Sequence, residues 1–145
     1  EDHSECDFKM VYFNADGNES SMCGNGGRCI TAFANFLGII KDKATFEAID
    51  GLHHSKIKGD LIHLQMQDVM DIDKKDQYVF LNTGSPHHVQ LEADIELLDV
   101  KSAGSKIRYG SPYHKEGTNV NFVKKLTEES FFVRTDERGV EDETL

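Results

Sequence analysis

The sequence predicts an α+β fold of two lobes in which a curved sheet wraps a central helix. Three observations predict it: several apolar runs of strand length, one helix-period segment that is apolar almost all round, and a polar gap from Asp68 to Gln77.

Taken in order, Phe8 to Phe13 place Phe8, Met10 and Tyr12 against Lys9, Val11 and Phe13, which reads as a buried strand ending at Asn14. Ala15 to Cys23 are small, polar and turn-forming, so they read as a surface loop. From Gly24 the period changes. Ile30, Phe33, Ala34 and Leu37 fall at i, i+3, i+4 and i+7, with Cys29, Ala32 and Phe36 on the flank, and such a helix is expected to be enclosed. Gly38 supplies its left-handed stop. Strands follow at Thr45 to Ile49, then at Lys56 to Lys58 and Leu61 to Met66, the latter two joined by a Gly59-Asp60 turn with Ile62, Leu64 and Met66 facing the core. The polar stretch after Met66 divides the chain, with 1–74 assigned to the first lobe and 75–145 to the second. The second lobe is predicted to hold strands at Tyr78 to Leu81, Val89 to Leu91, Val120 to Lys124 and Phe131 to Thr135, and a short helix at Ser102 to Ile107.

Charge narrows the function classes. Sixteen Lys and Arg against 26 Asp and Glu leave a net charge of −10 over 145 residues, without a basic stripe, which disfavours nucleic acid and anionic membrane as partners. The longest apolar stretch, Phe36 to Ile40, is far too short to span a membrane, and the first residues are acidic rather than signal-like, so the expected location is cytoplasmic. The chain opens on Glu1 and closes inside a charged segment, and is read as part of a longer protein. Cys6, Cys23 and Cys29 fit neither a disulfide framework nor a paired zinc motif, and are read as free thiols.

Cys23 has the most chemistry to offer. It precedes Gly24-Asn25-Gly26-Gly27 at the mouth of the helix, where free backbone N–H groups and the positive end of the helix dipole converge on its sulfur. A cysteine so placed can serve as a nucleophile or a base, and the glycines let a ligand carboxylate approach the same N–H groups. The alternative is a helix-entry cysteine that only packs. A phosphate loop is the weaker reading, since no G-K-[ST] follows.

Tyr12-Phe13-Asn14-Ala15-Asp16-Gly17 followed by Met22-Cys23-Gly24-Asn25-Gly26-Gly27-Arg28-Cys29 strongly resembles the diaminopimelate epimerase family. Gly84-Ser85-Pro86-His87, Gly117-Thr118-Asn119-Val120-Asn121-Phe122 and Glu137-Arg138-Gly139 agree with it in the same order, so the resemblance spans Phe8 to Leu145. Proline racemases are similar but have His in place of Asn25. The resemblance implies two lobes, each a curved sheet wrapped round a central helix, here incomplete at both ends. It also implies a cofactor-independent isomerase, with no metal, that converts LL-diaminopimelate to the meso form for lysine and peptidoglycan synthesis. The partner is then a small molecule, and room is left for a homodimer.

Inversion at an α-carbon asks for one acid/base group on each face. The resemblance makes Cys23 one of them and puts the second cysteine a few residues past Leu145. It implies that Asn14 and Asn119 bond the distal amino-acid end of the substrate, that Arg138 pairs its carboxylate and Glu137 its ammonium, and that Gly24 and Asn25 offer N–H groups to the reacting carboxylate. Read without the resemblance, Asn14 is a turn former and Glu137-Arg138 an exposed pair.

Two positions depart from the family. Ser85 stands where Asn is usual, and its shorter side chain reaches a substrate only through water. Asp136 stands where Tyr is usual. His53, His54, His87, His88 and His114 are not spaced to put three ligands on one helix face and are read as structural or solvated. The competing functions are a related racemase, a cysteine hydrolase pairing Cys23 with His87 or His88, and a binding module without catalysis.

Overall fold

The computed structural model describes residues 1, 5–14 and 17–144; Ala15 and Asp16 of the first motif, the acidic Asp2 and Leu145 lie outside them. The described residues form two units, Glu1–Asp68 and Val69–Leu145, each with one sheet and one α-helix.

In the first unit β1 (Phe8–Lys9), β2 (Lys43–Ala48), β3 (Gly51–Lys58) and β4 (Leu61–Leu64) lie side by side in that order. β1 runs parallel to β2 and the rest are antiparallel. Alternation decides the faces. Ala44, Phe46 and Ala48 of β2 are buried, and His53 and Ser55 sit directly opposite Phe46 and Ala44 on β3. Phe46 stacks between Phe8 and His53, with ring centres 5.2 and 5.5 Å away. Gly59, at φ +57°, closes the β3–β4 turn where the Gly59-Asp60 signal placed it. Leu64 packs on the core and Ile62 is half-buried, but Met66 falls beyond β4 and is 37% exposed.

Helix α1 (Gly24–Phe36) lies on this sheet, and Gly38 at φ +74° stops it as the Ile39 N–H returns to the Ala34 carbonyl at 2.9 Å. The buried stripe is Gly27, Thr31 and Ala34 rather than the larger apolar set read from the period. Small residues win because they let the helix come close: a Cβ on Gly27 would lie 2.8 Å from Leu64 Cδ2. Thr31 Oγ1 then bonds both the Gly27 carbonyl and Ser55 Oγ at 2.8 Å. One sheet covers one face only, so Phe33 and Phe36 remain 58% and 82% exposed, against the expectation of enclosure.

The first strand is also shorter than its apolar run. After Met10 the chain leaves the sheet for a local hairpin in which the Ser20 N–H donates to the Tyr12 carbonyl and Phe13 bridges Glu19.

The second unit is a six-stranded sheet in the order β10 (Asp142–Thr144), β9 (Phe131–Glu137), β8 (Asn119–Lys125), β7 (Pro86–Leu91), β6 (Tyr78–Asn82) and β5 (Ile72–Lys74). β7 and β8 are parallel, as a crossover through α2 (Val100–Tyr109) requires, and the other pairs are antiparallel. β5 lies in the polar stretch read as the boundary between the lobes, held by pairing with β6 despite having no buried residue. The division falls between Asp68 and Val69. Ile95, Val100, Val120 and Phe122 form the core under α2. Asp99 caps that helix, its Oδ1 accepting the Ser102 N–H at 3.1 Å. Arg134 closes the far edge with a two-pronged bond to Glu143, both arms 2.7 Å, and donates to the Ile95 and Leu98 carbonyls.

Candidate active site

Cys23 is the N-cap of α1, in extended backbone conformation, and its Sγ accepts the Gly26 N–H at 3.3 Å. Its carbonyl takes the Gly27 N–H at 2.8 Å, so the residue is held at the helix mouth by its own backbone. The glycines behind it differ in purpose. Gly27 is required by packing, and a Cβ on Gly26 would press Met10 Cε at 3.0 Å. A Cβ on Gly24 would meet only Met66, at an ordinary 3.7 Å, so packing does not demand glycine there. A bare backbone at Gly24 leaves its N–H open to a close anionic ligand.

Asn25 is exposed beside this mouth, with its Oδ1 bonded to Arg28. Asn14 sits at the hairpin turn that precedes it: its N–H donates to the Asn18 carbonyl at 3.0 Å and its carbonyl accepts from Gly17, whose φ is +79°. Cys6 donates to the Phe8 carbonyl at 3.1 Å. Cys29, read as part of an enclosed helix, is exposed on the face of α1 away from the sheet.

In the second unit, three of the expected site residues meet. Asn119, 6% exposed at the start of β8, donates from Nδ2 to Ser85 Oγ and to the Pro86 carbonyl, both at 3.0 Å, and accepts the Arg138 N–H on Oδ1 at 2.8 Å. The amide therefore joins the turn before β7 to the turn after β9. Asn121 repeats the arrangement two residues on, on the same strand face, bonding His87 Nδ1, the His88 carbonyl and Thr135 Oγ1. Its role was not read from the sequence, although the i, i+2 repeat of Asn in Asn119-Val120-Asn121 is a signal for it.

The Arg138 guanidinium donates to the Glu116 carbonyl at 3.2 Å and lines a cleft of about 820 Å³ with Asn82, Pro86, Tyr78, Phe80 and Tyr113. Burial and the nearby Arg108 charge lower the Arg138 guanidinium from its ordinary value. Glu137 offers its carbonyl to the Val140 and Glu141 N–H groups, closing a tight turn around Arg138.

Burial lowers both His87 and His88. His88 stacks on Tyr78 at 4.2 Å, bonds Tyr113 Oη at 2.9 Å through Nδ1 and faces Gln90 Oε1 through Nε2. With both nitrogens engaged, His88 is a structural residue rather than a base for a hydrolase. Burial also pushes Tyr113 up to about 12. His53 is likewise committed, between Asp50 and the Gln65 carbonyl.

Asp136, at the departure from the family, is 1% exposed, and neither carboxylate oxygen has a hydrogen-bond partner among the described residues. Burial holds its carboxyl above the ordinary range, opposed by the Arg108 charge. Among the described residues no three His, Cys, Asp or Glu converge as metal ligands, and no helix is long and apolar enough to cross a membrane.

No family model matches the chain. It is 58% identical over its full length to the diaminopimelate epimerase of Flavobacterium psychrophilum, covering 57% of that protein. It is 39% identical to the diaminopimelate epimerases of Aquifex aeolicus and Chlorobaculum tepidum, with 99% and 96% of the chain aligned to 55% and 57% of theirs. The chain thus spans a little over half the length of these relatives. Among solved structures, a PhzF-family phenazine biosynthesis protein of Bacillus anthracis shares the fold, with a TM-score of 0.58 at 16% identity over 96% of the chain and 56% of its own length.

Proposed function

We propose that this chain, similar along its whole length to diaminopimelate epimerases, carries one half of the acid/base machinery and the distal-carboxylate site of a cofactor-independent epimerase acting on diaminopimelate. The observation that carries the reading is Cys23 at the N-terminus of α1, with the Gly26 N–H on its sulfur and a bare Gly24 backbone beside it.

Cys23 exchanges the α-proton on one face of the substrate carbon. The N–H groups of Gly24 and Asn25 receive the reacting carboxylate, where negative charge grows as the proton leaves. Arg138 pairs the distal carboxylate and Glu137 the distal ammonium. The resemblance assigns Asn14, in the hairpin before α1, to the distal end as well. Asn119 acts mainly as the strut that aims Arg138, since its amide is spent on protein partners, and Ser85 is one of its anchors.

Inversion also needs a group on the opposite face. Cys6 and Cys29 do not supply it: one is bonded to the Phe8 carbonyl, and the other sits on the outer face of the helix that Cys23 begins. The resemblance to the epimerase family implies that the second thiol follows the 145 residues, which alone are then expected not to complete the reaction.

The test is NMR of LL-diaminopimelate in D2O with the 145 residues and with a version extended through the second Cys-Gly motif that the family resemblance implies. Meso product and α-deuteration only in the extended protein, lost again in Cys23→Ala, support the reading. Comparable turnover by the 145 residues overturns the two-thiol mechanism.

A further inference from the structure

Arg108, in the last turn of α2, is a buried arginine that neither the motifs nor the proposed chemistry uses. It is 8% exposed, and four observations tie it to the turn that presents Arg138. Its guanidinium pairs with Glu141 at 2.5 Å and reaches the Glu137 carbonyl at 3.5 Å. Glu141 in turn accepts the Gly139 N–H at 3.3 Å and donates its own N–H to the Glu137 carbonyl at 3.0 Å. Tyr109 Oη, from the same helix end, donates to the other Glu141 oxygen at 2.5 Å. Finally, the Arg108 and Arg138 side chains share the bare face of Gly117: a Cβ there would lie 3.2 Å from Arg108 Nε and 3.5 Å from Arg138 Cδ.

These contacts make residues 137–141 a closed turn gripped from one side by α2 and from the other by Asn119. Without α2, the turn between β9 and β10 would be tied through the Arg138 contacts to Asn119 and the Glu116 carbonyl, leaving its Gly139–Glu141 limb less restrained. Arg108 restrains that limb through its ion pair with Glu141 and its bond to the Glu137 carbonyl. We propose that Arg108 is a positioning residue for carboxylate recognition, fixing the Glu137–Gly139 turn so that Arg138 presents its guanidinium to the distal carboxylate of the substrate. The ligand half of this inference rests on the proposed function, whereas the turn-fixing half does not.

Two readouts on the full-length protein separate those halves. Amide hydrogen exchange at Arg138, whose N–H is held by Asn119, reports the turn, with the Phe122 amide in the core of β8 as control. Arg108→Gln is expected to speed exchange at Arg138 and Gly139 by about tenfold or more while Phe122 is unmoved, and Arg108→Lys to fall between it and the parent. The milder Glu141→Gln, which keeps Arg108 itself, is expected to move the same two amides in the same direction. Unchanged exchange at Arg138 in both Arg108→Gln and Glu141→Gln overturns the positioning role.

The second readout compares affinity for diaminopimelate with that for lysine, which has the same α-amino-acid head and distal ammonium but no distal carboxylate. Arg108→Gln is expected to weaken diaminopimelate by roughly tenfold and lysine by much less, the difference being what a well-aimed Arg138 adds by pairing with that carboxylate. Equal losses for both ligands overturn the carboxylate role. A parent protein that does not prefer diaminopimelate to lysine refutes the proposed function itself, and the exchange data still decide whether Arg108 fixes the turn.

Discussion

The Asn119 side chain accepts the backbone N–H of Arg138 at 2.8 Å, across 19 residues of sequence, while its own N–H bonds Ser85 at 3.0 Å, across 34. One buried amide thereby sets the place of a guanidinium it does not touch. Asn119→Ala is expected to cost about 1–3 kcal/mol of stability in the second unit, because the Arg138 N–H and the Pro86 carbonyl lose their partner in a buried place. Chemical denaturation measures it, and an unchanged midpoint refutes the strut.

Arg138→Ala should divide differently. In the full-length protein KM for diaminopimelate is expected to rise more than in Asn119→Ala, with kcat less affected, because the substrate carboxylate loses its charge partner in both ground and transition states. Equal KM for parent and both variants would remove the distal-end assignment.

Among the thiols, Cys23 is expected to alkylate first under limiting reagent. Access alone does not favour it, since Cys29 is the exposed one. The distinction is position: Cys23 faces N–H groups at the helix start, whereas Cys29 lies in mid-helix and Cys6 is bonded to the Phe8 carbonyl. Peptide mass spectrometry after brief exposure to iodoacetamide checks it, and faster labelling of Cys29 would sink the helix-mouth argument.

Gly104 offers a packing test. A Cβ there would lie 2.3 Å from Asp136 Cβ, too close for any rotamer to relieve. Gly104→Ala is therefore expected to destabilise the second unit by about 1–3 kcal/mol net, overcoming the gain of about 1 kcal/mol that alanine brings to a helix interior. A higher melting temperature in the variant would contradict the packing.

Stability should depend on pH with opposite signs at two sites. His87 and His88 sit below their ordinary 6.5, so as pH falls through that value the unfolded chain takes up protons the folded one resists, and stability drops. Asp136 sits above its ordinary 3.8, so the folded state keeps a proton longer and stability falls as pH rises from 3.8 through the folded value. Asp136→Asn is thus expected to stabilise the protein more at pH 7 than at pH 4. Denaturant titrations at both pH values check this, and a benefit that grows on acidification would reverse the assignment.

Both ends of α1 were legible because their causes are local: a capping residue before a glycine run, and Gly38 taking a left-handed φ that other residues resist. The β3–β4 turn was legible for the same reason, carried by Gly59. β5 and β10 were not, since three-residue strands with few apolar side chains exist only because a longer neighbour completes their hydrogen bonds.

By itself the sequence determined the order of the motifs and the helix mouth at Cys23, which depend on residues within a few positions of one another. The tertiary structure decided which stripe of α1 is buried, why Asp136 is enclosed against Gly104, and how Ser85, Asn119, Arg108 and Arg138 come to act on one turn. Periodicity gives every apolar position on a helix the same weight. Which of them is covered depends on how closely another chain segment can approach, and that is a property of pairs of residues far apart in sequence.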